Sequence, residues 1–396
     1  MNNNAFTLSA LKPLLLCLLL GGLVLSPGDV LARKSGDSTQ LKRYIVELLD
    51  PPLAAYEGGE LSAPTASGLS RLAPTAPSVT GELRLDVQSL ESESYMTYLA
   101  SRHQEFVAEA TTLLGREIKI TYRYRTATNG MAIDISESEA VLLSRSPLIR
   151  SIVPDYKLQI ETYAVPAWIG AESICYCDAG IQARGEGVLV GVIDTGINWD
   201  HPSFEDPAGD GYKHINPFGG YLGLCELEEV NCNDKLVGVY DFVTDNPATE
   251  DVVEENTNGK DNHNHGSHTA STAAGNPVNV FVNGAINSQV SGVAPRANII
   301  SYRVCYQGEP ASADAAACDS SATLQAIGQA ITDGVDVLNY SVGGAPRDPW
   351  TFGSVDRAFL NARNAGIYTA ASAGNDGPNP GTVGSPANAP WVTAVG

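Results

Sequence analysis

Strand-like and helical hydrophobic periods alternate along the first part of the chain. RYIVEL (43–48) reads as a strand, and Tyr95, Leu99, Phe106 and Ala110 recur at helical spacing, predicting a helix from Glu91 to about Leu114. IKITYRYRTATNGMAIDIS (118–136) holds two strand-like runs broken by Asn129-Gly130, a hairpin signal. A short helical run, SESEAVLLSRS, and a last strand, RSIVPDYKLQI, complete a strand–helix–hairpin–helix–strand unit that ends near Glu161. Residues 51–90 break this order: they are rich in Pro, Ser, Ala and Gly without sustained periodicity, and predict a flexible loop insertion.

Beyond residue 161 the pattern changes. Short apolar runs stand at 188–193 (VLVGVI), 297–304 (ANIISYRV), 334–342 (GVDVLNYSV) and 366–372 (GIYTAAS). Helical stretches lie between them, at 321–334 and 354–366. Such alternation predicts an α/β fold with a doubly wound, mostly parallel sheet, in which ligands bind beyond the carboxyl ends of the strands. At the other end of the chain, Lys12 precedes the apolar run Leu14–Leu25, and Val30-Leu31-Ala32 resembles a small-residue cleavage site. The run is short for a membrane span and suits a secretory signal peptide over residues 1–32.

Composition narrows the partners. Hydrophobic residues make up 43% of the chain and charged residues 17%, as in a soluble globular protein. A formal net charge of −21 argues against nucleic acid, and against an anionic membrane once the signal is removed. Of seven cysteines Cys17 leaves with the signal, and six in an exported chain imply disulfides. Cys225 with Cys232, and Cys305 with Cys318, bracket short loops, each bridge contributing roughly 2–3 kcal/mol in the chain-entropy model. Cys175 and Cys177 are left without an assigned pairing, and no C-x-x-C pair supports zinc.

Candidate chemistry sits at strand ends. Asp194 follows VLVGVI at once and is turned by Thr195-Gly196; by itself it is equally a capping or turn aspartate. Asp-Thr-Gly is also the aspartic-peptidase signature, but that chemistry needs two carboxylates, and the chain has no second such motif. DNHNHGSHTAST (261–272) holds His263, His265 and His268. No H-E-x-x-H spacing favours a metal. His265 opens a run of small residues that can lie close to a sheet, and a helix N-terminus there disfavours the imidazolium, keeping the ring ready to accept a proton. Asn375, in ASAGNDGP, is suited to donate to a developing oxyanion or to shape a turn.

Together, in this order, VIDTGI, HGSHTAST, GVAPRANIISYRV, GVDVLNYSVGG and ASAGNDGP resemble the subtilisin-like serine peptidases, or subtilases, over nearly everything after Glu161. HGSHTASTAAGNPV, CELEEVNCNDKL and YRVC resemble the larger members of plants and some bacteria. RYIVEL, NGMAIDIS and SIVPD resemble the family's inhibitory propeptide. The resemblance implies a small α+β, ferredoxin-like propeptide domain over 33–161, removed by cleavage near Glu161–Tyr163, and a catalytic domain over 162–396. It implies that Asp194 orients His265, that His265 is the general base, and that Asn375 is the oxyanion donor. Ser341, Val342 and Gly343 are implied as the strand that pairs with substrate backbone; His263 and His268 receive no role. The implied partners are protein or peptide substrates and the chain's own propeptide, acting as intramolecular inhibitor and chaperone.

One part of the family pattern is not in the sequence. The serine of such enzymes lies in a G-T-S-M-A-type motif after the oxyanion asparagine, and no G-T-S-M occurs in the 396 residues. Ser372, in AASAG, comes last in the order Asp, His, Ser372, which is not the order of nucleophile-elbow hydrolases. The expectation is therefore a secreted serine endopeptidase represented by a catalytic domain without its serine, the chain alone being inactive. The alternative is a catalytically dead relative that binds peptides or inhibits. No cofactor is called for. Calcium is possible in the family, but NPVNVFVNGAINSQVSGVAP lacks the carboxylates it needs.

Overall fold

The computed structural model describes residues 40–160, 183–244, 257–282, 285–307, 316–351 and 353–396. The signal peptide, Cys17, Cys175, Cys177 and the cleavage region near Glu161–Tyr163 lie outside the described residues.

The N-terminal unit is an antiparallel sheet of four strands backed by helices. Its elements are β1 (Lys42–Leu48), α1 (Leu90–Leu114), β2 (Lys119–Tyr124), β3 (Gly130–Ile135), α2 (Glu137–Leu143) and β4 (Ile149–Pro154), with sheet order β2-β3-β1-β4. Ser89 caps α1 by accepting from the Ser92 amide. Ser136 and Glu139 close a reciprocal capping box on α2. One face of the sheet buries Tyr44, Val46, Met131, Ile133 and Ile135 against Phe106 and Ala110 of α1.

Two details differ from the reading of the sequence. β2 and β3 pair as expected, but neither Asn129 nor Gly130 has a positive φ, so they are not a tight hairpin turn. A Cβ on Gly130 would lie 1.9 Å from the Val46 oxygen, and close strand approach explains the glycine. Asn129 instead donates from Nδ2 to the Asp50 oxygen (2.8 Å) and holds Nε2 of buried His103 at 2.8 Å. Secondly, 51–90 contains only a 3-10 turn, a two-residue-stranded hairpin and a four-residue helix, yet it is packed. Tyr56 stacks on Tyr95 at 3.8 Å between centroids, and Leu53, Ala54 and Ala76 are buried.

Burial pushes the His103 imidazole down to about 4 from its usual 6.5. A depressed value means that the folded unit prefers the neutral ring. Its stability is full above about pH 6.5 and falls as pH drops toward 4. The protection factors of the amides around His103 and Asn129, taken relative to the intrinsic exchange rate at each pH, are expected to fall on acidification across that window. His103→Phe, which cannot titrate, should remove that component of the pH dependence.

The C-terminal unit is a seven-stranded, all-parallel sheet. After β5 (Lys157–Ile160), and besides a separate hairpin of Val278–Val282 with Ala285–Val290, its strands and α-helices are β6 (Leu189–Asp194), β7 (Leu222–Gly223), β8 (Leu236–Asp241), α3 (His265–Ala274), β9 (Asn298–Arg303), β10 (Cys305–Gln307), β11 (Ala316–Asp319), α4 (Ser320–Asp333), β12 (Val337–Tyr340), β13 (Val342–Gly343), α5 (Ser354–Asn364), β14 (Tyr368–Ser372) and β15 (Thr393–Val395). The parallel sheet runs β15-β14-β12-β6-β9-β8-β7. α5 buries Val355, Ala358, Phe359 and Ala362, one face at helical spacing. Disulfides join Cys225 to Cys232 and Cys305 to Cys318.

The two units share a core. Ile45, Ala54, Tyr124, Ala127 and Ala132 of the first pack in one apolar cluster with Leu324, Ile327, Phe359 and Ala362 of α4 and α5. Both Glu47 carboxylate oxygens accept from Nη2 of Arg357, at 2.7 and 2.6 Å. At the far end the 51–90 segment reaches the amino edge of the parallel sheet: Arg84 pairs with Asp336, and the Leu85 amide donates to the Ala365 oxygen (3.3 Å).

Candidate active site

Asp194 ends central strand β6 and is 1% exposed. Its Oδ1 accepts from the Thr195 amide at 2.7 Å, and its Oδ2 from the Thr269 hydroxyl at 3.1 Å. Nδ1 of His265, the first residue of α3, lies 2.7 Å from the same Oδ1. A carboxylate only accepts, so the contact requires a proton on Nδ1, and in the neutral ring the Nε2 lone pair is then free. The His265 side chain is 8% exposed, and its Nε2 is buried with no hydrogen-bond partner.

Glycine and small residues bring α3 this close. A Cβ on Gly266 would sit 2.3 Å from the Gly196 oxygen, and one on Gly196 2.6 Å from the Gly259 oxygen. Gly266→Ala must therefore push α3 away from the Asp194 turn. A loss of about 1–3 kcal/mol in unfolding free energy is expected, measured by denaturant titration.

The sequence reading passed over Asp261. Its Oδ1 accepts from the Thr195 hydroxyl (2.8 Å) and from the His263 and Asn264 amides (3.0 and 2.8 Å). Its Oδ2 accepts from both the amide and the hydroxyl of Ser267, each at 2.7 Å. One buried carboxylate thus ties the first turn of α3 to the residue after Asp194. Asn264 caps that turn at φ 73, a left-handed conformation that asparagine tolerates. An aspartate shortly before a helix start is the available signal, but it does not reveal five donors.

His263 sits edge-on to His265, 6.3 Å between centroids, with neither ring nitrogen hydrogen-bonded, and His268 is exposed. Among the described residues no group of three or more His, Cys, Asp or Glu side chains is placed to hold a metal. The stretch 275–294 likewise offers no carboxylate for calcium.

Asn375 is exposed and follows β14, two strands from β6, on the same carboxyl edge of the sheet as the Asp194–His265 pair. Val342 and Gly343 are buried and form β13, while Ser341 accepts from Asn339 Nδ2 at 3.2 Å. β13 is already paired: β5, the strand that ends the N-terminal unit, lies between β13 and β11. Ile160 stands opposite Val342 and Gln159 opposite Gly343, with Leu158 and Lys157 opposite Cys318 and Asp319.

The parallel sheet thus carries a buried Asp–His pair at its carboxyl edge, and β5 of the N-terminal unit lies as an added strand between β11 and β13. Residues 185–396 match the subtilase family, and residues 43–161 match the peptidase inhibitor I9 family. The chain belongs to the subtilase family. Subtilisin-like protease SBT2.3 of Arabidopsis thaliana is 33% identical over 89% of this chain and 41% of its own length. Subtilisin-like protease SBT2.2 of the same plant is 35% identical over 75% of this chain and 35% of its own. The chain thus spans about two-fifths of the length of the curated relatives it matches. Fervidolysin from Fervidobacterium pennivorans, a keratinolytic enzyme related to subtilisin, aligns over 90% of this chain and 43% of its own at 16% identity and a TM-score of 0.46.

Proposed function

We propose that the chain carries the signal peptide (1–32), inhibitory propeptide (33–161) and Asp–His portion (162–396) of a secreted serine endopeptidase. The observation that carries this reading is His265: Nδ1 is held by buried Asp194, and Nε2 is buried and unpaired. That is the state a general base needs, since Nε2 must take a proton from the attacking hydroxyl and return it to the leaving amine. Asp194 fixes the tautomer and stabilises the imidazolium as it forms. Asn375 donates to the oxyanion. Ser341, Val342 and Gly343 line the substrate path, and β5 inhibits by occupying it as an added strand.

The reading requires a serine in a G-T-S-M-A-type motif, which residues 1–396 do not contain. Sequencing the transcript past codon 396 and treating the secreted product with a serine-directed phosphonate form the test. An in-frame motif whose serine is labelled supports the endopeptidase. A persistent stop codon and no labelled serine would replace it with the non-catalytic, peptide-binding reading.

A further inference from the structure

The strand that fills the substrate path does not begin at its first paired residue. Immediately before β5, Asp155 and Tyr156 make side-chain contacts with the C-terminal unit that continue the line of the strand. The Asp155 Oδ1 accepts from the Ser320 hydroxyl (2.7 Å) and the Ser321 amide (3.1 Å), and its Oδ2 accepts from the Ser321 hydroxyl. These donors form the first turn of the fourteen-residue helix α4. Tyr156 is tied to the same turn through its backbone, which accepts from the Ser320 amide at 3.1 Å and donates to the Ser320 hydroxyl at 3.3 Å. Its ring lies under the Arg347 guanidinium, 3.5 Å from carbon to centroid.

Arg347 follows β13 by four residues, and Ser320 follows β11 directly. Both therefore sit at the end of the groove between the two strands that clasp β5. We propose that Arg347 and the first turn of α4 are a recognition site for an acidic–aromatic dipeptide in substrates, four to five residues N-terminal to the residue opposite Val342. The inference rests on the peptidase reading above. A substrate replacing β5 in the groove meets the same helix end and the same guanidinium face, and both belong to the C-terminal unit. Arg347 also has its backbone fixed, its oxygen accepting from Asn388 Nδ2 at 2.7 Å, so the side chain starts from the same place whether or not tyrosine lies beneath it. The buried Asp319 carboxyl next to the acidic position opposes it, and burial together with that neighbour pushes the Asp155 carboxyl up to about 6. Acidic recognition is thus best measured above that pH, at about 7.5.

The test uses the protein secreted from its complete coding sequence and peptides based on SIVPDYKLQIETYAVP (151–166), carrying Asp-Tyr, Ala-Tyr, Asp-Ala or Ala-Ala at positions 155 and 156. Each favourable residue is expected to lower KM by about tenfold, with kcat little changed. In R347A the tyrosine advantage should vanish while the aspartate advantage stays. Equal KM for all four peptides, or a loss in R347A that falls alike on tyrosine and alanine peptides, overturns the proposal. If no peptide is cleaved, the peptidase reading fails, and the site is read in the full chain instead. Exchange of the amides at 157–160 is then compared in Y156A, R347A and the double variant. A double variant no faster than either single supports the contact as a recognition pair. Additive effects overturn it.

Discussion

His265→Ala is expected to lower kcat for peptide hydrolysis by about a millionfold in the protein expressed from its complete coding sequence, a size taken from subtilisin itself rather than computed from this chain. The argument from structure concerns why so little would remain. Nε2 of His265 is buried and has no other hydrogen-bond partner, and neither nitrogen of neighbouring His263 is anchored by a hydrogen bond, so no second imidazole is held in register to take over. The same variant should leave the chain uncut near Glu161–Tyr163, because release of β5 depends on the same proton transfer. Thermal melting must accompany the assay. Asp194 would lose its imidazole partner but keep the Thr195 amide and Thr269 hydroxyl, so the fold is expected to survive. Activity within a hundredfold of the parent would remove His265 from the role of base.

The sequence disclosed the sheet because its strands are short, apolar and bounded by glycine or polar turns, as in VLVGVIDTG and GVDVLNYSVGG. Asp194 and His265 were legible for the same reason, since each closes or opens an element whose period is plain. The 51–90 segment was not legible. Its order comes from single long-range contacts, Tyr56 on Tyr95 and Arg84 on Asp336, that leave no periodic trace. Asn129-Gly130 misled in a related way: the pair has turn chemistry, but the glycine is required by the closeness of the Val46 backbone, far earlier in the chain. Nor does local pattern announce Tyr156 or Arg347, whose relation exists only once β5 lies between β11 and β13.

Asp194→Asn should be milder than the loss of about four decades seen when an amide turns its nitrogen toward the imidazole and imposes the wrong tautomer. Here the oxygen that meets His265 also accepts from the Thr195 amide. An amide nitrogen cannot occupy that place, because it would face a backbone N–H. The other oxygen meets the Thr269 hydroxyl, which also lies 3.0 Å from the Gly266 oxygen. That hydroxyl can donate to Gly266 and accept from an amide nitrogen. The substituted side chain therefore keeps its carbonyl toward His265, and the proton stays on Nδ1. What is lost is the charge that stabilises the imidazolium, about 4 kcal/mol for unit charges about 4 Å apart at an effective dielectric of about 20. That corresponds to roughly three decades in kcat. Nitrogen-15 chemical shifts of His265 decide between the two routes to inactivity: a protonated Nδ1 in the variant sustains the argument, and a protonated Nε2 with a loss of four decades or more refutes it.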